Sequence, residues 1–193
     1  MAMAIGVLDL QGAVREHVWA LKRLDVEARR VKRSADLAGL AGLIVPGGES
    51  TTIGMLAQEY GLIAAVRAEA TQGMAVMGTC AGLILLAKTV AGREQPTFGL
   101  MNIIAKRNAF GRQRESFEAP LSVPALGADP VPAVFIRAPY IEAVGHGVAV
   151  LGTYQDKIVL ARQANCLASA FHPELTQDLR LHQYFLEVAA GTR

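Results

Sequence analysis

The sequence predicts an α/β fold: a three-layer, doubly wound, mostly parallel sheet with an antiparallel β extension. Three observations predict it. Apolar runs too short for helices alternate with longer stretches whose apolar residues recur at helical spacing. Hydrophobic residues make up 52% of the chain and charged residues 19%, which favours a sheet buried between helices over a disordered or fibrous chain. From Leu100 to about Val159 the pattern changes to short β-type runs with Gly and Pro between them, as an antiparallel extension requires.

Taken in order, Ala4 to Leu10 reads as a buried strand. A helix follows over Ala13 to Leu24, with Val14, Val18 and Leu21 at helical spacing. Glu27 to Lys32 and Gly42 to Val45 read as strands, the second ended by Pro46-Gly47-Gly48. Ser50 or Thr51 can cap the next helix, which runs to about Ala70. Met74 to Met77 is strand-like and Ala81 to Val90 helix-like. In the middle, Ala133 to Ile136 and Val148 to Leu151 are short strands. Leu167 to Phe171 is the last buried strand, and a closing helix spans about Gln177 to Ala189. No linker, repeat or low-complexity segment interrupts this order, so residues 1–193 are expected to form one domain. A chain of that length buries roughly 70% of the surface its unfolded form exposes, enough for one large core.

Charge and cysteine usage exclude several classes. The 19 Lys and Arg residues exceed the 17 Asp and Glu by only two, too weak a field for a nucleic-acid partner. The basic run Arg29-Arg30-Val31-Lys32-Arg33 reads as a solvated face. A second basic cluster, Lys106 to Arg114, interleaves aromatic and polar residues. Cys80 and Cys166 lie too far apart to suggest a disulfide framework; reduced thiols in the cytoplasm are expected, with Cys166 structural. Met1-Ala2-Met3-Ala4-Ile5 lacks the positive flank of a signal peptide. The longest uncharged stretch, Ala70 to Ala87, contains Thr71, Gln72, Gly73, Gly78, Thr79 and Gly82, and so reads as strand, turn and helix, not as a membrane span. The histidines at 17, 146, 172 and 182 show no ligand spacing with the cysteines, so no metal site is expected. His17 lies on an amphipathic helix and is expected to be packed or at the surface.

Sheets of this class carry their sites beyond the C-terminal ends of the strands. Three segments fall there. Gly78-Thr79-Cys80-Ala81-Gly82 has the form of a nucleophile elbow, with Cys where many hydrolases carry Ser. A sharp turn thrusts one side chain out, flanking glycines permit it, and the helix N-terminus favours negative charge on sulfur. The alternative is a small buried cysteine in a Gly-rich turn. At Phe171-His172-Pro173-Glu174 an apolar strand ends on an imidazole with a carboxylate two residues on. A thiol nucleophile needs such a base, and the base needs a group that fixes its tautomer. By itself this segment also reads as a surface turn. Pro46-Gly47-Gly48-Glu49-Ser50 can turn backbone N–H groups toward a ligand; with Ala81, Gly48 can form an oxyanion hole. The alternative is a plain tight turn.

These three segments, in this order, resemble the class I (triad) glutamine amidotransferases. Further stretches narrow the resemblance to the glutaminase subunits of pyridoxal 5'-phosphate synthase: Leu10-Gln11-Gly12-Ala13-Val14-Arg15-Glu16-His17, Arg107-Asn108-Ala109-Phe110-Gly111-Arg112-Gln113, Ser116-Phe117-Glu118, Phe135-Ile136-Arg137-Ala138-Pro139 and His172-Pro173-Glu174-Leu175-Thr176. The resemblance covers almost the whole chain. One departure is Ala168-Ser169-Ala170-Phe171, where family members often have Cys-Ser-Phe before His-Pro. The resemblance implies that L-glutamine is hydrolysed to glutamate and ammonia, and that the ammonia passes to a synthase subunit for vitamin B6 synthesis. It implies a dodecameric synthase core bearing up to twelve glutaminase subunits. It assigns catalysis to Cys80, His172 and Glu174, and glutamine binding to Gly48, Glu49, Ser50, Arg107 and the backbone at Ile136 and Arg137. A cation such as Arg107 suits the α-carboxylate of glutamine. No cofactor is needed for these steps, and neither a membrane nor nucleic acid is expected as a partner.

Overall fold

Strand β1 (Ala4–Leu8) is apolar and buried along its whole length, so both of its faces are covered. This is seen in a computed structural model, which describes residues 3–108 and 116–193. Helix α1 (Val14–Arg23) follows and buries Val14, His17, Ala20 and Leu21. Next come β2 (Glu27–Val31), β3 (Gly42–Val45), α2 (Ser50–Glu59), α3 (Leu62–Thr71), β4 (Ala75–Thr79), α4 (Ala81–Leu86) and β5 (Ala87–Val90). The second half contains β6 (Met101–Lys106), β7 (Ser116–Leu121), β8 (Val131–Ile136), β9 (Tyr140–Val144), β10 (Ala149–Tyr154), β11 (Lys157–Gln163), β12 (Cys166–Ser169) and α5 (Arg180–Ala189).

Strand order along the main sheet is β2-β1-β3-β4-β12-β11-β9-β6-β5, with β10 also paired to β11. From β2 to β12 every pairing is parallel. From β12 through β11 and β9 to β6 every pairing is antiparallel, and β5 closes that edge parallel to β6. Strands β7 and β8 form a separate antiparallel ribbon. The two regions bury themselves differently. Strands β3, β4 and β12 are buried at every position, as strands covered on both faces must be. Strands β6 and β8 alternate buried and less buried residues, the signature of a half-covered sheet. At the parallel edge, β2 carries exposed Arg29 and Arg30, which blunt it against further pairing. Among the described residues no helix is long and apolar enough to cross a membrane.

The expected α/β architecture with an antiparallel extension is therefore observed, with local differences. The helix read from Ser50 to Ala70 is two helices, α2 and α3, broken where Gly61 takes φ +68°. Neither Ser50 nor Thr51 caps α2; the Glu49 carboxylate does, accepting from the Thr51 and Thr52 N–H groups. The helix read over Ala81 to Val90 stops at Leu86, because the Phe98 N–H takes the Leu85 carbonyl at 2.7 Å. Ala87 to Val90 then pairs with β6 as β5. The closing helix begins at Arg180 and not near Gln177; a 3-10 turn over Pro173–Leu175 and the Asp178 carboxylate, accepting from the Arg180 N–H at 3.0 Å, occupy the approach.

Candidate active site

The site gathers at the C-terminal ends of β3, β4 and β12. Strands β4 and β12 are parallel neighbours with Thr79 opposite Ser169, so the chain leaves both at the same level. Immediately beyond β4, Cys80 adopts φ +50° and ψ −103°, a conformation that costs a non-Gly residue on the order of 1–3 kcal/mol. Its N–H donates to the Ser169 carbonyl at 2.8 Å, which ties the elbow to β12. The flanking glycines are required by space: a Cβ at Gly82 would lie 2.1 Å from the Val45 carbonyl oxygen, and one at Gly78 would lie 2.4 Å from the Gly82 carbonyl. The elbow read in the sequence is thus present, with α4 packed hard against β3.

Beyond β12, the His172 N–H donates to the Val134 carbonyl at 2.9 Å, which locks the residue against β8. Its Nδ1 lies 2.7 Å from Glu174 Oε1, and Glu174 is only 4% exposed in its 3-10 turn. Burial disfavours a charge on His172, but its interactions with Cys80 and with the Glu174 carboxylate outweigh it and push its pKa up to about 10. Burial likewise opposes charge on Glu174; His17 and His172 overcome it and hold the carboxyl below its ordinary range. Thiol, imidazole and carboxylate therefore form a chain suited to nucleophilic acyl transfer. The other thiol is of a different kind: burial pushes Cys166 up to about 12, which keeps it neutral and unreactive.

The glycine turn after β3 lies against this chain. A Cβ at Gly47 would stand 2.4 Å from His172 Cε1, so only glycine lets the turn pack on the imidazole. The Ala13 N–H donates to the Gly47 carbonyl at 3.0 Å, and the Glu49 N–H donates to Gln11 Oε1 at 2.8 Å. The Gly47-Gly48 peptide is trans, so its N–H, carried by Gly48, points opposite to that carbonyl and away from α1.

A cavity of about 260 Å³ opens in front of Cys80. Gly48, Glu49, Ser50, Cys80, Ala81, Arg107, Ile136 and Arg137 all line it, so every residue singled out in the sequence faces it except His172 and Glu174, which stand behind the thiol. Cys80 Sγ is 3.8 Å from the Ile136 carbonyl oxygen. Arg107 is held by Ser50 Oγ, by Thr51 Oγ1 at 3.1 Å, by Gln95 Oε1 at 3.0 Å and by Glu49 Oε1 at 3.3 Å. Burial works against charge on Glu49, yet the N–H and hydroxyl of Thr52 and the N–H of Thr51 bring its pKa down to about 2. Its carboxylate is thus committed to capping α2 and steadying Arg107. Ala109 to Gln113, part of the arginine-bearing segment, lies outside the described residues.

Sequence reading missed Gln95 and, for His17, which it expected to be packed or at the surface, the partners it packs against. Gln95 sits in an irregular stretch with no pattern to mark it. His17 is packed, with 0% exposure, and its Nε2 lies 3.5 Å from Glu174 Oε2. The available signal was its position between Val14 and Leu21 on the apolar face of α1: a histidine there must find a polar partner.

Comparison with known proteins is consistent across sequence and structure. The model of the SNO glutamine amidotransferase family matches residues 7–190. The pyridoxal 5'-phosphate synthase subunit PdxT of Moorella thermoacetica is 55% identical over 186 residues, covering 96% of this chain and 99% of that protein. The PdxT subunit of Thermus thermophilus is 56% identical over 191 residues, covering 98% of this chain and 99% of its own. A crystal structure of a glutamine amidotransferase superimposes with a TM-score of 0.92 at 55% identity, covering 96% of this chain and 98% of the other. With the family model matching residues 7–190 and this extent of identity, the chain belongs to the SNO glutamine amidotransferase family.

Proposed function

We propose that this chain is the glutaminase subunit of a pyridoxal 5'-phosphate synthase, acting as a single domain over residues 1–193 with Cys80, His172 and Glu174 as its triad. The observation that carries the reading is the buried Glu174–His172 pair standing behind Cys80, which itself faces a cavity lined by Arg107. The side-chain amide of glutamine lies against the sulfur. Its α-carboxylate is taken by the cationic group of Arg107, and its backbone-facing atoms by the Ile136-Arg137 segment.

The Cys80 thiolate attacks the amide carbon, and negative charge gathers on the amide oxygen. The Gly48 and Ala81 N–H groups hold that oxygen; losing one such donor costs ~3 kcal/mol of transition-state stabilisation. His172, an imidazolium held by Glu174, gives its proton to the leaving nitrogen. The C–N bond breaks, ammonia departs and a γ-glutamyl thioester remains. Neutral His172 then takes a proton from water, the hydroxide adds to the thioester, and the C–S bond breaks. Glutamate leaves, with the thiolate and imidazolium restored.

Ammonia released to bulk water is protonated and loses its nucleophilicity. Delivery to a docked synthase subunit avoids this, and a dodecameric core bearing up to twelve glutaminase subunits is the assembly we propose, in the cytoplasm. The test is ammonia and glutamate release from glutamine, with and without the cognate synthase subunit, against short peptides as alternative substrates. Glutamine turnover that rises on adding the synthase and vanishes in Cys80→Ala is the expected result. Turnover of peptides alone, or ammonia release by Cys80→Ala at the normal rate, rejects the reading.

A further inference from the structure

The second oxygen of Glu174 and two buried histidines behind it have no part in the steps above. We propose that His17 is a positioning residue of this centre: its Nε2–H faces Glu174 Oε2, and His182 fixes that tautomer from behind. The inference rests on the reading of Glu174 as the group that orients His172.

The geometry leaves little choice of protonation. His17 Nε2 lies 3.1 Å from Thr79 Oγ1 and 3.5 Å from Glu174 Oε2, and its Nδ1 lies 3.0 Å from His182 Nε2. Glu174 Oε2 and His182 Nδ1 are both buried, with no hydrogen-bond partner among the described residues. Suppose His17 carried its proton on Nδ1. Its Nε2 lone pair would then point at a carboxylate. The His182 proton would sit on Nδ1 as a buried donor with no acceptor, the costlier kind of orphan. The opposite assignment removes both faults. His182 donates from Nε2 to His17 Nδ1, and His17 presents Nε2–H to Thr79 and Glu174. Both rings are then neutral. Burial lowers the pKa of His17 against the pull of Glu174, and burial with His17 beside it lowers His182 to about 3.

The titratable groups around Glu174 come from its own turn, the elbow, α1 and α5. His172 on its own turn takes Oε1, with Cys80 of the elbow beyond the imidazole. Helix α1 supplies His17, with Glu16 acting on that ring and Arg15 at the surface beside the turn; α5 supplies His182 behind. With His17 removed, Glu174 Oε2 loses the polar ring that stands 3.5 Å from it. The carboxyl then protonates at higher pH and holds the imidazole less firmly.

The test is steady-state glutamine hydrolysis in complex with the synthase subunit, as a function of pH, for His17→Phe, His17→Gln and His182→Leu, with melting temperatures. His17→Phe is expected to lower kcat roughly 10- to 100-fold with KM little changed, and to move the acidic limb of the kcat profile to higher pH. Gln restores an N–H near the Nε2 position and should recover most of that loss. His182→Leu should show a smaller shift in the same direction. A folded His17→Phe with wild-type kcat and an unmoved limb overturns the proposal, as does a His17→Gln as impaired as Phe with no limb shift. Should His17→Phe not fold, an unmoved limb in His182→Leu overturns it equally. If wild-type complex releases no ammonia from glutamine, the glutaminase reading falls. If wild type is active, Cys80→Ala is dead and the His17 variants are normal, only the positioning role falls.

Discussion

Two charged clusters flank Cys80 on opposite physical terms. Behind the imidazole, the side chains of Glu174 and His17 are fully buried and 3.5 Å apart. Across the cavity, the side chains of Glu49 and Arg107 are 50% and 30% exposed and 3.3 Å apart. The buried cluster lies in a low dielectric, where each missing partner leaves a charge uncompensated. The open cluster is screened by water, and Arg107 spreads its contacts over Glu49, Ser50, Thr51 and Gln95. A single change should therefore disable the first and merely loosen the second. Orientation of the base belongs to the buried side, and capture of the substrate to the wet one.

The largest break in that comparison is Glu174→Gln. The amide can still reach His172, but the charge that supports an imidazolium is gone, so kcat is expected to fall by as much as ~10⁴-fold with KM nearly kept. Stopped-time ammonia assays with the synthase present measure this; an unchanged kcat removes Glu174 from its proposed role. Next comes Gly12→Ala, which touches neither cluster. Gly12 has φ +109°, and its Cβ would lie 1.9 Å from the Gly47 carbonyl oxygen, so the Ala13–Gly47 bond must break and the Gly48 N–H lose its aim. A loss of about 10²-fold in kcat is expected. Normal turnover would separate the Gly48 donor from catalysis.

On the open side the expected effects shrink. Arg107→Lys keeps the charge but loses the planar fork, and should raise KM for glutamine about 10-fold with kcat little changed. A loss in kcat alone would instead tie Arg107 to chemistry. The smallest effect is on stability. Replacing Glu49 by Ala removes the α2 cap and should cost about 1 kcal/mol near neutral pH. Glu49 titrates at about 2 in the folded protein, below its ordinary 4.5. Its contribution is therefore present above pH 4.5 and is lost as pH falls toward 2. Urea midpoints of wild type and variant should converge over that window; a difference that persists at the acid end would locate the stabilisation elsewhere.

The same contrast governs what could be read without coordinates. The inner parallel strands were legible because burial on both faces writes itself as unbroken apolar runs, as in Gly42-Leu43-Ile44-Val45. Around Ala87 to Val90 the reading failed. Those residues continue a helical pattern, and only pairing with β6 and the Phe98–Leu85 bond turn them into a strand. The cap of α2 was misread for a related reason: Ser50 and Thr51 are the usual capping types, but the Glu49 carboxylate is one position nearer and long enough to take both N–H groups.

By itself the sequence determined the elbow around Cys80, the imidazole and carboxylate two residues apart at 172 and 174, and the glycines of the 46–50 turn. These are short-range facts, because turn chemistry and strand ends are set by neighbours in the chain. Only the tertiary structure decided that β4 and β12 run side by side and so bring Cys80 to His172. It alone seated Gly47 on the imidazole, placed Gln95 beneath Arg107, and turned His17 toward Glu174 and His182. Periodicity tells which face of a helix is buried, but it carries no record of what waits on the other side. A histidine between Val14 and Leu21 announces that it will be covered; its partner is chosen by packing between segments distant in the chain.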